Sequence, residues 1–183
     1  MAHRRRQIRG IVLAEDKRTE RFFRKLLKHL GFGRFFFFTA PKGRGSGEAW
    51  VLRRFPDEVR ALRSKNYQKG LCLVAVRDGD GQDANGRRNE MDKVLAESGL
   101  APRKANESIA LPVPCRNIET WLLDLLGDSN LDETTDYKKQ FERKHAENEG
   151  TALEKAAKRW GDISERSLPS LRDGTIELRR IEQ

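Results

Sequence analysis

The sequence predicts an α/β fold: a mainly parallel, Rossmann-like sheet flanked by helices, with a small helical C-terminal region. Three observations predict it. Short apolar runs of strand type alternate with stretches at helical spacing from residue 8 to residue 126. After Gly127 the composition turns polar and helix-prone. Apolar residues are only 37% of the 183-residue chain, yet they are bunched into clear runs, which marks a folded, highly charged domain.

Residues 8–14, Ile-Arg-Gly-Ile-Val-Leu-Ala, read as a short buried strand. Residues 17–30 carry Phe22, Phe23, Leu26, Leu27 and Leu30 at helical spacing, and Gly31 ends that helix. Phe35 to Thr39 is an aromatic run of strand type, whose rings are expected to be buried rather than to form a base-stacking platform. Pro41 to Gly47 is a Gly-rich basic loop. Residues 48–65 form a helix with Trp50, Val51, Phe55, Val59 and Leu62 on one face, which Pro56 is expected to break or kink. Residues 70–76 are the clearest strand and run into Arg77-Asp78-Gly79-Asp80-Gly81-Gln82-Asp83. Residues 88–98 form a short helix ended by Gly99, and residues 108–113 a fourth strand, with Pro112 marking an edge or a strand end. Residues 117–126 are a short amphipathic helix with Trp121 in the core. Residues 151–160 and 174–181 are helical, and Trp160 either packs a helical cap or meets a partner. The division expected is a core at 1–127 and a helical extension packed on it at 128–183.

No apolar stretch approaches the roughly 18 residues of a membrane span, and Met1 to Arg6 is basic without an apolar signal core. With only Cys72 and Cys115, a reduced, cytoplasmic protein is expected. His3, His29 and His145 are scattered, which leaves little for zinc or a histidine-based triad. The net charge of +9 is uneven: residues 1–69 hold 19 Lys/Arg against 6 Asp/Glu, and residues 70–183 hold 18 against 22. The basic part is a candidate surface for nucleic acid; the plainer alternative is a solvated helix face with a loose arm.

What remains is carboxylate chemistry. Ligands of parallel sheets bind beyond the carboxyl ends of the strands. Glu15 follows the first strand, Asp78 and Asp80 follow the third, and Glu119 opens the helix after the fourth. Carboxylates converging on one point repel unless a cation lies between them, and all-oxygen ligands select Mg²⁺ or Mn²⁺. Taken singly, Asp78-Gly79-Asp80-Gly81 is also a plain turn, and Glu15, Glu20 and Glu119 are also ordinary helix acids. Lys42, Arg44 and Ser46 belong to a loop suited to a phosphate backbone, although the spacing is not that of a P-loop.

Ile11-Val12-Leu13-Ala14-Glu15 followed by Val74-Ala75-Val76-Arg77-Asp78-Gly79-Asp80 resembles the Toprim domain of topoisomerases, primases, OLD-type nucleases and RloB-like proteins. The run from Glu15 through Thr19-Glu20 to Phe23 resembles the Glu-Gly-x-x-Thr-Glu pattern of the last two groups. Asn117-Ile118-Glu119-Thr120-Trp121-Leu122 is similar to the Glu-x-Trp-Leu segment of small phage-defence families, and Leu168 to Arg172 to their Pro-Ser-Phe-Arg ending. One departure is Asp16, where those families have Gly; it crowds the phosphate approach or adds a carboxylate.

The resemblance implies a Mg²⁺- or Mn²⁺-dependent nuclease with Glu15, Asp78 and Asp80 as catalytic ligands, joined by Glu20, Asp83 and Glu119. It also implies a separate ATPase as partner, leaves a homo-oligomer open, and makes Lys138 and Lys139 candidates for a distal lysine by position. The alternatives are a non-catalytic nucleic-acid-binding or effector subunit working with that ATPase, and a phosphotransferase or hydrolase acting on nucleotides.

Overall fold

The structure, a computed structural model, describes residues 8–41 and 46–182. Four parallel strands stand in the order β2-β1-β3-β4: β1 (Arg9–Ala14), β2 (Phe35–Thr39), β3 (Leu71–Val76) and β4 (Ile109–Ala110). The helices are α1 (Lys17–His29), α2 (Gly47–Ser64), α3 (Ala84–Glu97), α4 (Ile118–Leu126), α5 (Lys138–His145), α6 (Glu149–Lys158) and α7 (Pro169–Arg179). The fold is α/β with a C-terminal helical region, as the alternation predicts. Among the described residues, no helix is long and apolar enough to cross a membrane.

Side chains alternate across the strands and split the core in two. Val12, Cys72, Val74 and Val76 face α1, α4 and the C-terminal helices, against Phe22, Phe23, Leu26, Trp121, Leu122 and Leu171. Leu13, Leu73 and Ala75 face α2 and α3, against Val51, Phe55, Val59, Met91 and Leu95. Both faces of β1 and β3 are covered, which is why these strands read as continuous apolar runs. Trp160 packs beside Phe22 and Trp121, with ring centroids at 6.2 and 6.0 Å, so it belongs to the shared core.

Several elements differ from the sequence reading. Pro56 lies inside α2 without ending it, because the fully buried Phe55 and Val59 pin both sides of the helix to the sheet. α3 starts at Ala84, not residue 88, because the Asp83 side chain accepts from the Gly86 N–H at 2.6 Å and caps the helix early. β4 is two residues long. Pro112 and Pro114 have no N–H to give a ladder, and the Leu111 N–H donates to Glu177 Oε2 at 2.9 Å. α7 begins at Pro169, which as a first helical residue loses no hydrogen bond. The phenylalanine run is an edge strand rather than a buried one: Phe35 and Phe37 pack on one face and Phe38 on the other, while Phe36 is 59% exposed.

Candidate functional site

The strand order singles out one place. From β1 the chain crosses to β2 on one side, and later from β3 to β4 on the other, so the connections diverge between β1 and β3. In open parallel sheets, ligands bind in the crevice outside the carboxyl ends at such a point. Ala14 and Val76 end the two strands in register. Glu15 and Asp78 therefore both emerge at this crevice.

Beyond β3 the chain stays pinned. Gly79 N–H donates to Pro114 O at 2.7 Å, Gly81 N–H to Cys115 O at 3.0 Å and Asp80 N–H to Arg116 O at 3.2 Å. A Cβ on Gly79 would lie 2.1 Å from the Cys115 carbonyl oxygen, so only glycine allows this approach. On the other side, a Cβ on Gly47 would lie 2.4 Å from the Glu15 carbonyl oxygen. The N-terminus of α2, capped by the Ser46 hydroxyl accepting from Ala49 N–H, thus sits directly on Glu15.

Asp78 is buried, at 5% exposure. Burial, then the charges of Glu15, Asp16 and Glu119, push its carboxyl well above the ordinary range, with Lys138 opposing. Burial likewise pushes Glu15 up to about 7, against the pull of Arg77 and with Asp80 and Glu48 adding to the rise. Burial also raises Glu119, although Arg18 Nη1 donates to its Oε1 at 2.5 Å. Two buried carboxylate oxygens, Glu15 Oε1 and Glu119 Oε2, have no hydrogen-bond partner. Lys138 loses stability as a cation through burial, but the fields of Glu119, Asp78, Asp136 and Asp16 outweigh this and hold it protonated.

Four carboxylates therefore share one field: Glu15, Asp16, Asp78 and Glu119. Asp80 acts on Glu15 from the rim, but its left-handed backbone (φ 50°) turns its carboxylate to within 3.4 Å of Arg87 Nη2, half exposed. Asp83 caps α3; Asp16 likewise caps α1 by accepting from the Thr19 N–H at 2.8 Å, but its charge also acts on Asp78 and Glu119. Glu20 is bound by Lys17 at 2.6 Å, Arg24 at 2.8 Å and the Thr39 hydroxyl; these outweigh burial and hold it down at about 2. A carboxylate so compensated has little left to offer an ion. Lys42 and Arg44 lie outside the described residues.

Sequence reasoning passed over a cationic frame. The Arg77 guanidinium is buried and reaches Glu48 at 2.6 Å and Glu90 at 3.0 Å; Arg87 Nη1 reaches the same two acids at 2.6 and 3.0 Å. Arg77 Nε lies 3.8 Å from Glu15 Oε1 and has no hydrogen-bond partner. Arg18, besides holding Glu119, reaches Glu149 at 3.2 Å and lies 5.1 Å over the Phe141 ring. Apart from the local Arg87–Glu90 pair, the partners are 13 to 131 residues apart, so no local pattern announces the frame.

The donor set suits a hard divalent cation: carboxylates alone, mutually repelling, with two buried oxygens that lack a hydrogen-bond partner. As the side chains stand, they neighbour one another without closing on one point; among the described residues, no three His, Cys, Asp or Glu side chains form a metal-binding group. Comparison of the chain with protein-family models, curated proteins and solved structures returns no match.

Proposed function

We propose that this chain is a Toprim-like nuclease that uses Mg²⁺ or Mn²⁺ to cleave phosphodiesters in nucleic acid. Asp78 carries the proposal. It is buried at the crevice between β1 and β3, among Glu15, Asp16 and Glu119, where its negative charge is unfavourable without an added cation. A structural acid would be paired, as Glu20 is. Glu15, Asp78 and Glu119 are the residues that would hold the ion, with Asp16 and Asp80 at its margin. The chemistry such an ion would supply is polarisation of the phosphate oxygens and acidification of a bound water.

The chain's own groups do the rest. Arg18 fixes the orientation of Glu119 by holding one oxygen and leaving the other buried and without a hydrogen bond. Lys138 offsets part of the carboxylate repulsion and is a donor for a phosphate oxygen. The N-terminus of α2, brought onto Glu15 by Gly47, favours an anion beside the carboxylates. Lys42 and Arg44, in the loop that leads to Ser46, are proposed to hold the phosphate backbone.

The test is cleavage of labelled DNA and RNA in Mg²⁺ and in Mn²⁺, beside thermal melts titrated with each metal. Asp78→Asn should abolish both the cleavage and the metal-induced rise in melting temperature, while raising metal-free stability by relieving repulsion. Cleavage that survives in Asp78→Asn would sink the assignment. A metal-induced rise without cleavage would favour the binding-subunit reading.

A further inference from the structure

Away from the carboxylates, a second cleft of about 430 Å³ opens where the amino-terminal ends of β1, β2 and β3 meet the second half of α2. Its floor is apolar, from Ile11, Leu62 and Leu73, and the ring of Phe36 forms one wall. Phe36 and Tyr67 are two of the three large exposed apolar side chains among the described residues, and Tyr67 adjoins Gln68 on the rim of this cleft. Exposed rings beside an apolar hollow present a stacking face.

The rim is cationic. Arg9, Arg34 and Lys65 line it, all exposed, and none is ion-paired with a described residue. Arg9 is steadied by Gln68, whose Oε1 accepts from its Nη2 at 3.1 Å. On α2, Arg54, Arg60 and Arg63 have carboxylate partners, whereas Arg53, which has none among the described residues, lies outside the cleft. One acid reaches into the cleft, Glu58, with one oxygen held by Arg54 Nε at 2.8 Å. The cleft thus offers a flat apolar face, an acceptor on its wall and three cations at its mouth.

We infer that this cleft binds one unpaired nucleotide of a single-stranded nucleic acid, its base against Phe36 and its phosphate at Arg9, Arg34 and Lys65. The volume is enough for one nucleotide, and a base laid against Phe36 must leave its stack, which a single strand allows at lower cost than a duplex. Glu58 favours a base with exocyclic amino groups over an acyl chain, which has no donor to give it. The inference rests on the nucleic-acid reading above and names the substrate as single-stranded. Phe36 precedes Thr39, the β2 residue level with Ala14, by three residues. That is roughly 10 Å, or about three stacked nucleotides, from the carboxylate end. Phe38, with Arg54 lying 4.7 Å over its ring, stands between on the same face.

The experiment is fluorescence anisotropy in EDTA with a short labelled single strand and with its duplex, AMP serving as competitor. EDTA removes metal binding and cleavage from the readout. The single strand should bind more tightly than the duplex. Phe36→Ala should weaken the single strand about tenfold and leave the duplex and the melting temperature unchanged, whereas Phe36→Tyr should bind as wild type. Arg34→Ala with Lys65→Ala should flatten the salt slope by about 1.4.

Unchanged single-strand binding in Phe36→Ala, or equal losses for strand and duplex, would overturn the inference. So would a Phe36→Ala change in oligomeric state, which assigns the ring to an interface between copies, or full displacement by AMP at the strand's own affinity, which assigns the cleft to a free nucleotide. Binding through Phe36 without cleavage in any metal leaves the cleft standing and removes the nuclease. Cleavage by wild type with unaltered Phe36→Ala binding does the reverse.

Discussion

Glu15 has a measurable signature in the metal-free protein. Its carboxyl rises from 4.5 to about 7, chiefly by burial, so between those values the folded chain holds a proton that the unfolded chain has released. Stability therefore falls as pH climbs through this window and levels off above it, by an upper bound of about 3 kcal/mol. Asp78 acts in the same direction. Glu20 acts oppositely: held down at about 2 by its cations, it stabilises the fold above 4.5, and this is lost as pH falls toward 2. The melting temperature should thus peak near pH 5 in EDTA. Glu15→Gln should reduce the decline toward neutrality, and Mg²⁺ should raise the melting temperature far more at pH 7.5 than at pH 5. A melt that is flat from pH 5 to 7.5 in wild type would remove Glu15 from the acidic cluster. Glu15 and Asp78 were legible in the sequence because strand ends are legible. Asp83, expected among the metal ligands, caps α3 in the structure; a cap and a metal ligand use the same residue type. Arg77 and Arg87 were missed because their value depends on α2 and α3 meeting above the end of β3.

At the scale of elements, two glycines set the distance between the site's walls. An alanine at position 47 would gain less than the roughly 1 kcal/mol of helix propensity it gains in a helix interior, since Gly47 is the first residue of α2. It would also place a methyl group 2.4 Å from the Glu15 carbonyl oxygen and 3.0 Å from its Cβ. Backbone on both sides leaves no flexible end to yield, so the clash wins. Gly47→Ala should lower the melting temperature by several degrees and weaken metal binding, with α2 displaced from Glu15. Serine at position 79 should do the same through the Cys115 carbonyl oxygen. If Gly47→Ala stabilises the protein with metal response intact, α2 does not frame the site. The order of strands and helices was readable from apolar periodicity. Their ends were not, since caps, prolines and side-chain acceptors such as Glu177 decided them. Nor could periodicity tell that the Phe35–Phe38 strand lies at an edge, because strand order is settled by long-range pairing.

For the molecule as a whole, the question is whether residues 128–183 are an appendage or a part of the core. Trp121 donates its Nε1–H to the Ser170 hydroxyl at 2.7 Å, and Gly174 passes so close that a Cβ there would lie 2.3 Å from the Trp121 ring. Trp160 lies against both Phe22 and Trp121. Arg18 and Arg21 of α1 meet Glu149 of α6. Phe22, Trp121, Ile118 and Leu122 belong to one cluster with Leu153, Ala156, Leu171 and Leu178. Uncovering four large side chains at roughly 1.5–3 kcal/mol each removes about 6–12 kcal/mol, comparable to the whole stability of a domain, about 5–15 kcal/mol. The full chain should then unfold in one transition, with near- and far-ultraviolet circular dichroism coinciding. A chain ending at Gly127 should lack the near-ultraviolet signal and bind a hydrophobic dye. It should also lose the metal response, since the Glu149 support of Arg18, which holds Glu119, is removed with the helices. Lys138→Ala in the full chain removes the lysine alone. It should leave the single transition intact, and it should strengthen Mg²⁺ binding by removing a cation from beside Asp78 and Glu119. A truncated chain that folds cooperatively and still responds to metal would make the C-terminal helices a separate unit and place the site wholly within residues 8–127.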